Sequence, residues 1–204
     1  MKSVMLIDYD MGNITSVANA FEVAGCDVKI SRDPAGIANA ERLVLPGVGA
    51  FGEGMEHLTK LNLIDAMRTH ALKNQRPFMG ICLGMQLLAD RGYEFGDHAG
   101  LTWIPGEVKR LEVKDLRLPH VGWNNLKVVK KKSPFLQGLS GEVDFYFVHS
   151  FHFIPKNVDV IAATCDYGGD FCAVIEKENI FGAQFHPEKS QKAGSLLLKN
   201  FLNL

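Results

Sequence analysis

Three short stretches of the chain carry residues able to do covalent chemistry, and they lie far apart. The first is Gly80-Ile81-Cys82-Leu83-Gly84, a thiol between two glycines. It follows the apolar run Phe78 to Ile81 and precedes a helical pattern through Leu83, Gln86, Leu87 and Leu88, which predicts a strand-to-helix junction at Cys82. A reactive residue at such an elbow sits on a sharp turn, and neighbours without side chains let strand and helix pack closely beneath it. The start of the helix then offers free N–H groups and partial positive charge, which favour a thiolate and bind an oxyanion. The competing reading is a buried structural cysteine, the reading that suits Cys26, Cys165 and Cys172.

A nucleophilic thiol needs a base, and seven histidines compete for that role. Only His186 is followed by a proline and a carboxylate, in Phe185-His186-Pro187-Glu188. The run Ile180 to Phe185 reads as a strand, and residues i and i+2 of an extended segment share a side. Pro187 fixes its own φ and biases His186 toward extended backbone. Glu188 is therefore expected beside the imidazole, holding its tautomer while the other ring nitrogen faces Cys82. Taken alone, the tripeptide is also consistent with a loop whose Glu caps the last helix.

The third stretch, Gly47-Val48-Gly49-Ala50-Phe51-Gly52, matches the glycine pattern of dinucleotide-binding loops. That reading requires a helix directly after the loop and an acidic residue about 20 positions on. Here Gly54 and Met55 prolong the loop and position 72 is a leucine. The preferred use is different: backbone N–H groups of the Val48-Gly49 segment donate to an oxygen anion and to a substrate's polar groups, with Pro46 stiffening the approach.

The elements that must bring these stretches together follow from periodicity. In the first half, strand patterns at Val4 to Ile7, Asp27 to Ser31, Arg42 to Leu45 and Pro77 to Ile81 alternate with helical ones. The clearest helix is Ile14-Val17-Ala18-Phe21-Ala24, closed by Gly25; another carries Leu61, Ile64, Met67 and Ala71. Such alternation implies a mostly parallel central sheet flanked by helices, flavodoxin-like, with functional groups at the strands' carboxyl ends. After Gly106 strands dominate: Glu107 to Val113, Trp123 to Val129, Val143 to His149, Asp159 to Cys165, Ala173 to Glu178 and Ile180 to Phe185. They predict an added antiparallel or mixed sheet, and a last helix, Gln191 to Leu202, follows. With no repeat or linker, residues 1–204 are read as a single domain.

Composition narrows the function classes. Of 204 residues, 47% are hydrophobic and 22% charged, with no run approaching the roughly 18 apolar residues of a membrane span. A net charge of −1 gives no bulk attraction to nucleic acid, and the basic run Lys127, Lys130, Lys131 and Lys132 reads as a solvated turn. Asp8 interrupts the N-terminal apolar run before a signal peptide reaches sufficient length, so the expected location is cytoplasmic. The four cysteines lack C-x-x-C spacing and are expected as free thiols, with no metal or cofactor indicated.

With Pro-Gly-Val-Gly, Gly-x-Cys-x-Gly and His-Pro-Glu in this order, the chain resembles the class I, triad-type glutamine amidotransferases. "IDYDMGNITSVANAF", "RLPHVGWNNL", "YFVHSFHF" and "GAQFHPEKSQKAG" are similar to the glutaminase subunits of imidazole glycerol phosphate synthase. The resemblance implies that Cys82 attacks the side-chain amide of L-glutamine, that His186 transfers protons and that Glu188 orients it. It implies an oxyanion hole of backbone N–H groups from Leu83 and the Val48-Gly49 segment. Glutamine is expected against Gln86, Glu94 and the backbone around Ser150 and Phe151. The resemblance further implies a heterodimer partner, a (β/α)8-barrel cyclase that consumes the ammonia in histidine biosynthesis, faced by Asn13, Ser16, His120, Trp123 and Asn124. The chain has no barrel of about 250 residues of its own. Paralogues sharing these motifs supply ammonia for amidino-sugar synthesis in surface polysaccharides; "HVGWN" favours the histidine pathway.

Overall fold

A computed structural model describes residues 2–139 and 143–204. The first half contains β1 (Ser3–Ile7), β2 (Asp27–Ser31), β3 (Leu43–Gly47) and β4 (Phe78–Cys82), connected by α1 (Ile14–Val23), α2 (Pro34–Asn39), α3 (Phe51–Lys60) and α4 (Ile64–Arg68). A wide π-type turn, Thr69–Lys73, prolongs α4. α5 (Leu83–Gln86) follows β4 directly. Then come β5 (Arg91–Gly92), β6 (His98–Ala99), β7 (Gly106–Arg110), β8 (His120–Asn125), β9 (Lys127–Val128), β10 (Asp144–His149) and β11 (Phe151–Pro155). β12 (Ile161–Asp166), β13 (Asp170–Lys177), β14 (Ile180–Ala183) and α6 (Gln191–Leu202) close the chain.

The main sheet has eight strands in the order β2-β1-β3-β4-β14-β13-β12-β9. β2, β1, β3, β4 and β14 are parallel. Their order is the flavodoxin one, with β14 as the fifth strand. β13, β12 and β9 extend the sheet antiparallel. Two small sheets stand beside it, β10-β8 and β11-β7-β5-β6, where the sequence predicted one.

Strand alternation explains why both faces are covered. Leu43, Leu45 and Phe78 enter one apolar cluster with Leu58 and Met67, whereas Val44, Met79 and Ile81 enter the other with Phe21 and Phe201. β3 and β4 are buried along their whole length, as strands sandwiched between helices must be. At roughly 1.5–3 kcal/mol per fully buried large side chain, these layers hold the strand ends that carry the site.

The structure corrects two expectations here. The glycine stretch does open a helix, because α3 begins at Phe51. Gly52 and Gly54 serve close packing rather than a loop: a Cβ on Gly52 would lie 2.6 Å from the His98 ring, and one on Gly54 3.2 Å from Leu87. Trp123 to Val129 is not one strand but two, β8 and β9, in different sheets. Among the described residues, no helix is long and apolar enough to cross a membrane.

Candidate active site

Cys82 closes β4 opposite Gly47 of β3, with φ 53° and ψ −107°. A positive φ without glycine costs on the order of 1–3 kcal/mol and persists only where the surroundings enforce it. They do so here. A Cβ on Gly80 would lie 2.5 Å from the Gly84 carbonyl, and one on Gly84 would lie 1.8 Å from the Leu45 oxygen. The cramped backbone is thus the device that lifts the thiol out of the strand.

His186 follows β14, and its backbone N–H donates to Tyr146 O at 2.9 Å. Its backbone is extended, as expected, but Pro187–Lys189 forms a single 3-10 turn. Glu188 therefore reaches the imidazole by the turn, since a proline φ suits a helical first position as well as a strand. The Nδ1 to Glu188 Oε1 distance is 2.9 Å, and both side chains are at most 5% exposed. α6 packs on this turn through Gly194, where a Cβ would lie 1.9 Å from Pro187 O. Burial opposes charge on His186, but hydrogen bonds and charge from Cys82 and Glu188 outweigh it and push its pKa up to about 10. A histidine held cationic between a sulfur and a carboxylate is ready to give a proton to a leaving amine.

A cavity of about 210 Å³ gathers most of the predicted site: Val48, Gly49, Cys82, Leu83, Gln86, Glu94, Ser150, Phe151 and His186 line it, and Glu188 stands behind His186. Its volume lies below the roughly 300–1,000 Å³ of sites for drug-sized ligands and suits an amino acid better than a dinucleotide. A larger depression of about 820 Å³ spans Arg110 to Lys114 and Gly168, but its lining offers no thiol, hydroxyl or imidazole. Gly49 holds φ 114°, which bars a side chain and leaves the Val48-Gly49 peptide free of Cβ obstruction. Gln86 donates its two N–H bonds to Phe151 O at 2.9 Å and Gln184 Oε1 at 3.1 Å, so its carbonyl oxygen remains for a ligand. Glu94 accepts from Phe51 N at 3.1 Å at the start of α3, and burial raises its pKa.

The partner-facing residues divide. Trp123 is 48% exposed and Asn13 is exposed, while Ser16 and Asn124 are half-buried. His120 is a correction: at 2% exposure it stacks on Tyr167 with centroids 3.9 Å apart. In β8 the even positions point inward and the odd ones outward, so His120 and Trp123 lie on opposite faces. Sequence reasoning also missed Val148, His149 and Lys189, which line the cavity, and Gln184, whose Nε2 donates to Cys82 Sγ at 3.7 Å. The signal for Gln184 was present: it precedes His186 by two positions and lies in the run Ile180 to Phe185 that the sequence reads as a strand, although β14 ends at Ala183.

Comparison with known proteins bears on this arrangement. The model of the family "Glutamine amidotransferase class-I" matches residues 5–204. The chain is 45% identical to imidazole glycerol phosphate synthase subunit HisH of Syntrophotalea carbinolica, covering 97% of this chain and 98% of the relative. It is 48% identical to the subunit of that name from Aquifex aeolicus, covering 97% and 94%. Among solved structures, PurLQS from Thermotoga maritima superposes with a TM-score of 0.77 at 18% identity, over 100% of this chain and 99% of the other, a likeness of fold. The chain belongs to the class-I glutamine amidotransferase family and, within it, to the HisH subunits of imidazole glycerol phosphate synthase.

Proposed function

We propose that Cys82, His186 and Glu188 form the triad with which the chain hydrolyses L-glutamine to glutamate and ammonia. The chain is the glutaminase subunit of an imidazole glycerol phosphate synthase in histidine biosynthesis. The observation that carries the mechanism is the line from Cys82 through His186 to Glu188 at the edge of one small cavity. Cys82 Sγ attacks the side-chain amide carbon, and the resulting oxyanion lies between the Leu83 N–H and the Val48-Gly49 peptide. His186 gives its proton to the departing nitrogen, and ammonia leaves a thioester. Water, deprotonated by His186, hydrolyses that thioester to glutamate and regenerates the sulfur. The Gln86 carbonyl oxygen accepts from the substrate, while Glu94 and the Ser150-Phe151 backbone bound the pocket.

The ammonia passes to a (β/α)8-barrel cyclase subunit in a heterodimer, docked on the face that carries Trp123. The relatives' names support the histidine pathway over amidino-sugar synthesis. Four free cysteines fit a reducing, cytoplasmic setting. A dinucleotide at the glycine stretch remains disfavoured, although α3 follows it, because Val48 and Gly49 face Cys82 across the small cavity. Cys82→Ala tests the mechanism: glutamate release should fall at least about 10⁴-fold, and a variant that still hydrolyses glutamine at the parent rate would refute it.

A further inference from the structure

The cavity wall beyond Cys82 holds a row of hydrogen bonds that the triad does not use. Gln184 is fully buried. Its Nε2 donates to Cys82 Sγ at 3.7 Å and its Oε1 accepts from Gln86 at 3.1 Å. Phe151 O accepts from Gln86 Nε2 at 2.9 Å and from His149 Nδ1 at 2.9 Å. A carbonyl only accepts, so the His149 proton sits on Nδ1 and Nε2 is a bare acceptor. That Nε2 takes the Nδ1–H of His120 at 3.1 Å. The remaining nitrogen of His120 accepts from Asn124 Nδ2 at 3.4 Å. Asn124 is itself fixed, donating to Asp166 O at 2.9 Å and accepting from Asn125 N at 2.9 Å.

Each link therefore permits one orientation. Turning Gln86 over would set its carbonyl against the Phe151 carbonyl and the Gln184 oxygen. Burial keeps both histidines neutral, pushing His120 down to about 4 and His149 to about 3. Donation runs from β8 to the Phe151 carbonyl, and from Gln86 through Gln184 to the nucleophile, the carbonyl accepting from His149 and Gln86 and so tying the two runs together. An N–H aimed at a sulfur steadies negative charge there, both before attack and when the thioester breaks.

We propose that Gln184 is a further catalytic residue of the glutaminase reaction, donating to the Cys82 sulfur, and that His120 and His149 are positioning residues that keep its amide in register through Phe151 and Gln86. This rests on the glutaminase reading of the same cavity. The row begins on β8, the strand that presents Trp123 outward, so the nucleophile's donor is linked to the face proposed for the cyclase.

The test uses the full chain and four forms: parent, Gln184→Met, His120→Phe and the double variant. Methionine keeps the length of the side chain and removes the N–H; phenylalanine keeps the ring stacked on Tyr167 and Phe147 and removes both nitrogens. Two rates are read: glutamine hydrolysis, and alkylation of Cys82 by a chloroketone analogue of glutamine, located by mass spectrometry. Gln184→Met should lower kcat about 10- to 100-fold with KM within about 3-fold, and slow alkylation in proportion. His120→Phe should lower kcat about 3- to 10-fold alone and cause no further loss in the Gln184→Met background, a coupling that a merely structural role would not produce. Should Gln184→Met fail to melt cooperatively, Gln184→Asn, which withdraws the amide by one methylene, carries the same expectation. Parent-like kcat and alkylation in the Gln184 variants, or His120 and Gln184 effects that simply multiply, would overturn the proposal. If the parent chain neither hydrolyses glutamine nor is alkylated at Cys82, the glutaminase reading itself has failed instead.

Discussion

On the β4–α5 side of the cavity, Cys82 is fixed by backbone: a φ of 53°, two glycines with no room for a methyl group, and buried strands beneath. On the β14–α6 side, His186 is fixed by side chains: Glu188 on Nδ1, Cys82 close enough to favour its charged form, and the Ser190 hydroxyl donating to its carbonyl at 2.6 Å. Sterics govern the first wall and charge governs the second. The difference teaches where each wall breaks, because a methyl group added to the first changes the fold, whereas a charge removed from the second changes the chemistry far more than the stability.

Gly84→Ala should have the largest structural effect. The new Cβ falls 1.8 Å from the Leu45 oxygen, a backbone atom in a buried strand that cannot step aside. A loss on the order of 3–5 kcal/mol is expected in urea unfolding, with activity lost as well. Unchanged stability would mean that the elbow is set by something other than its glycines. Glu188→Gln should do the reverse. It keeps a hydrogen-bond partner for Nδ1 but removes the charge that favours the imidazolium, so kcat should fall about 10²- to 10⁴-fold while stability shifts by about 1 kcal/mol. A larger change in stability than in kcat would cancel the contrast between the walls.

The two walls were also unequally legible in the sequence. Cys82 and its glycines were readable because turn chemistry is local, and the pairing of His186 with Glu188 because it lies within one tripeptide. α3 was not readable, since Gly52 and Gly54 lower helix propensity and their reason, contact with His98 and Leu87, comes from distant parts of the chain. His120 was placed on the wrong face because the phase of β8 is set by its pairing with β10 and its stacking on Tyr167, neither of which a strand pattern reveals. β3 and β4 of the parallel core announced themselves by continuous apolar runs, whereas the six strand patterns of the second half fall short of the eight strands β7 to β14, because β8 and β9 read as one and β11 gave no pattern of its own. Gln184 was overlooked although the rule applied to Glu188 also points to it.

pH sharpens the comparison further. Burial pushes His120 of β8 down to about 4, His149 of β10 to about 3 and His152 of β11 to about 4. In the unfolded chain these imidazoles titrate near 6.5, so below that pH the unfolded state binds more protons than the folded one. Their contribution is complete above about 6.5 and is lost as the pH falls toward 4. His186, raised to about 10, contributes in the opposite sense: its stabilisation is complete below about 6.5 and lost as the pH rises toward 10. Stability should drop on the order of 2–4 kcal/mol between pH 7 and 5, read from urea midpoints, and replacing both His120 and His149 by phenylalanine should flatten that limb. A limb left unchanged by the double replacement would place the titrating groups elsewhere.

The smallest intrinsic effect should come from Trp123→Ala, on the outer face of the strand whose inner face holds His120. Trp123 is 48% exposed and Val121 56%, and this outward apolar pair contacts the protein's own core little, the nearest aromatic being Tyr146 at 5.8 Å. Truncating so exposed a side chain should shift stability by no more than about 0.5–1 kcal/mol. Buried at the centre of an interface, the same indole is worth 2 kcal/mol or more, so affinity for the proposed cyclase should weaken at least about 10-fold. Titration calorimetry with the cyclase reads the second quantity and thermal melting the first. Intact affinity in the variant would move the docking surface away from β8, and a large loss of stability would show that Trp123 packs as part of the fold.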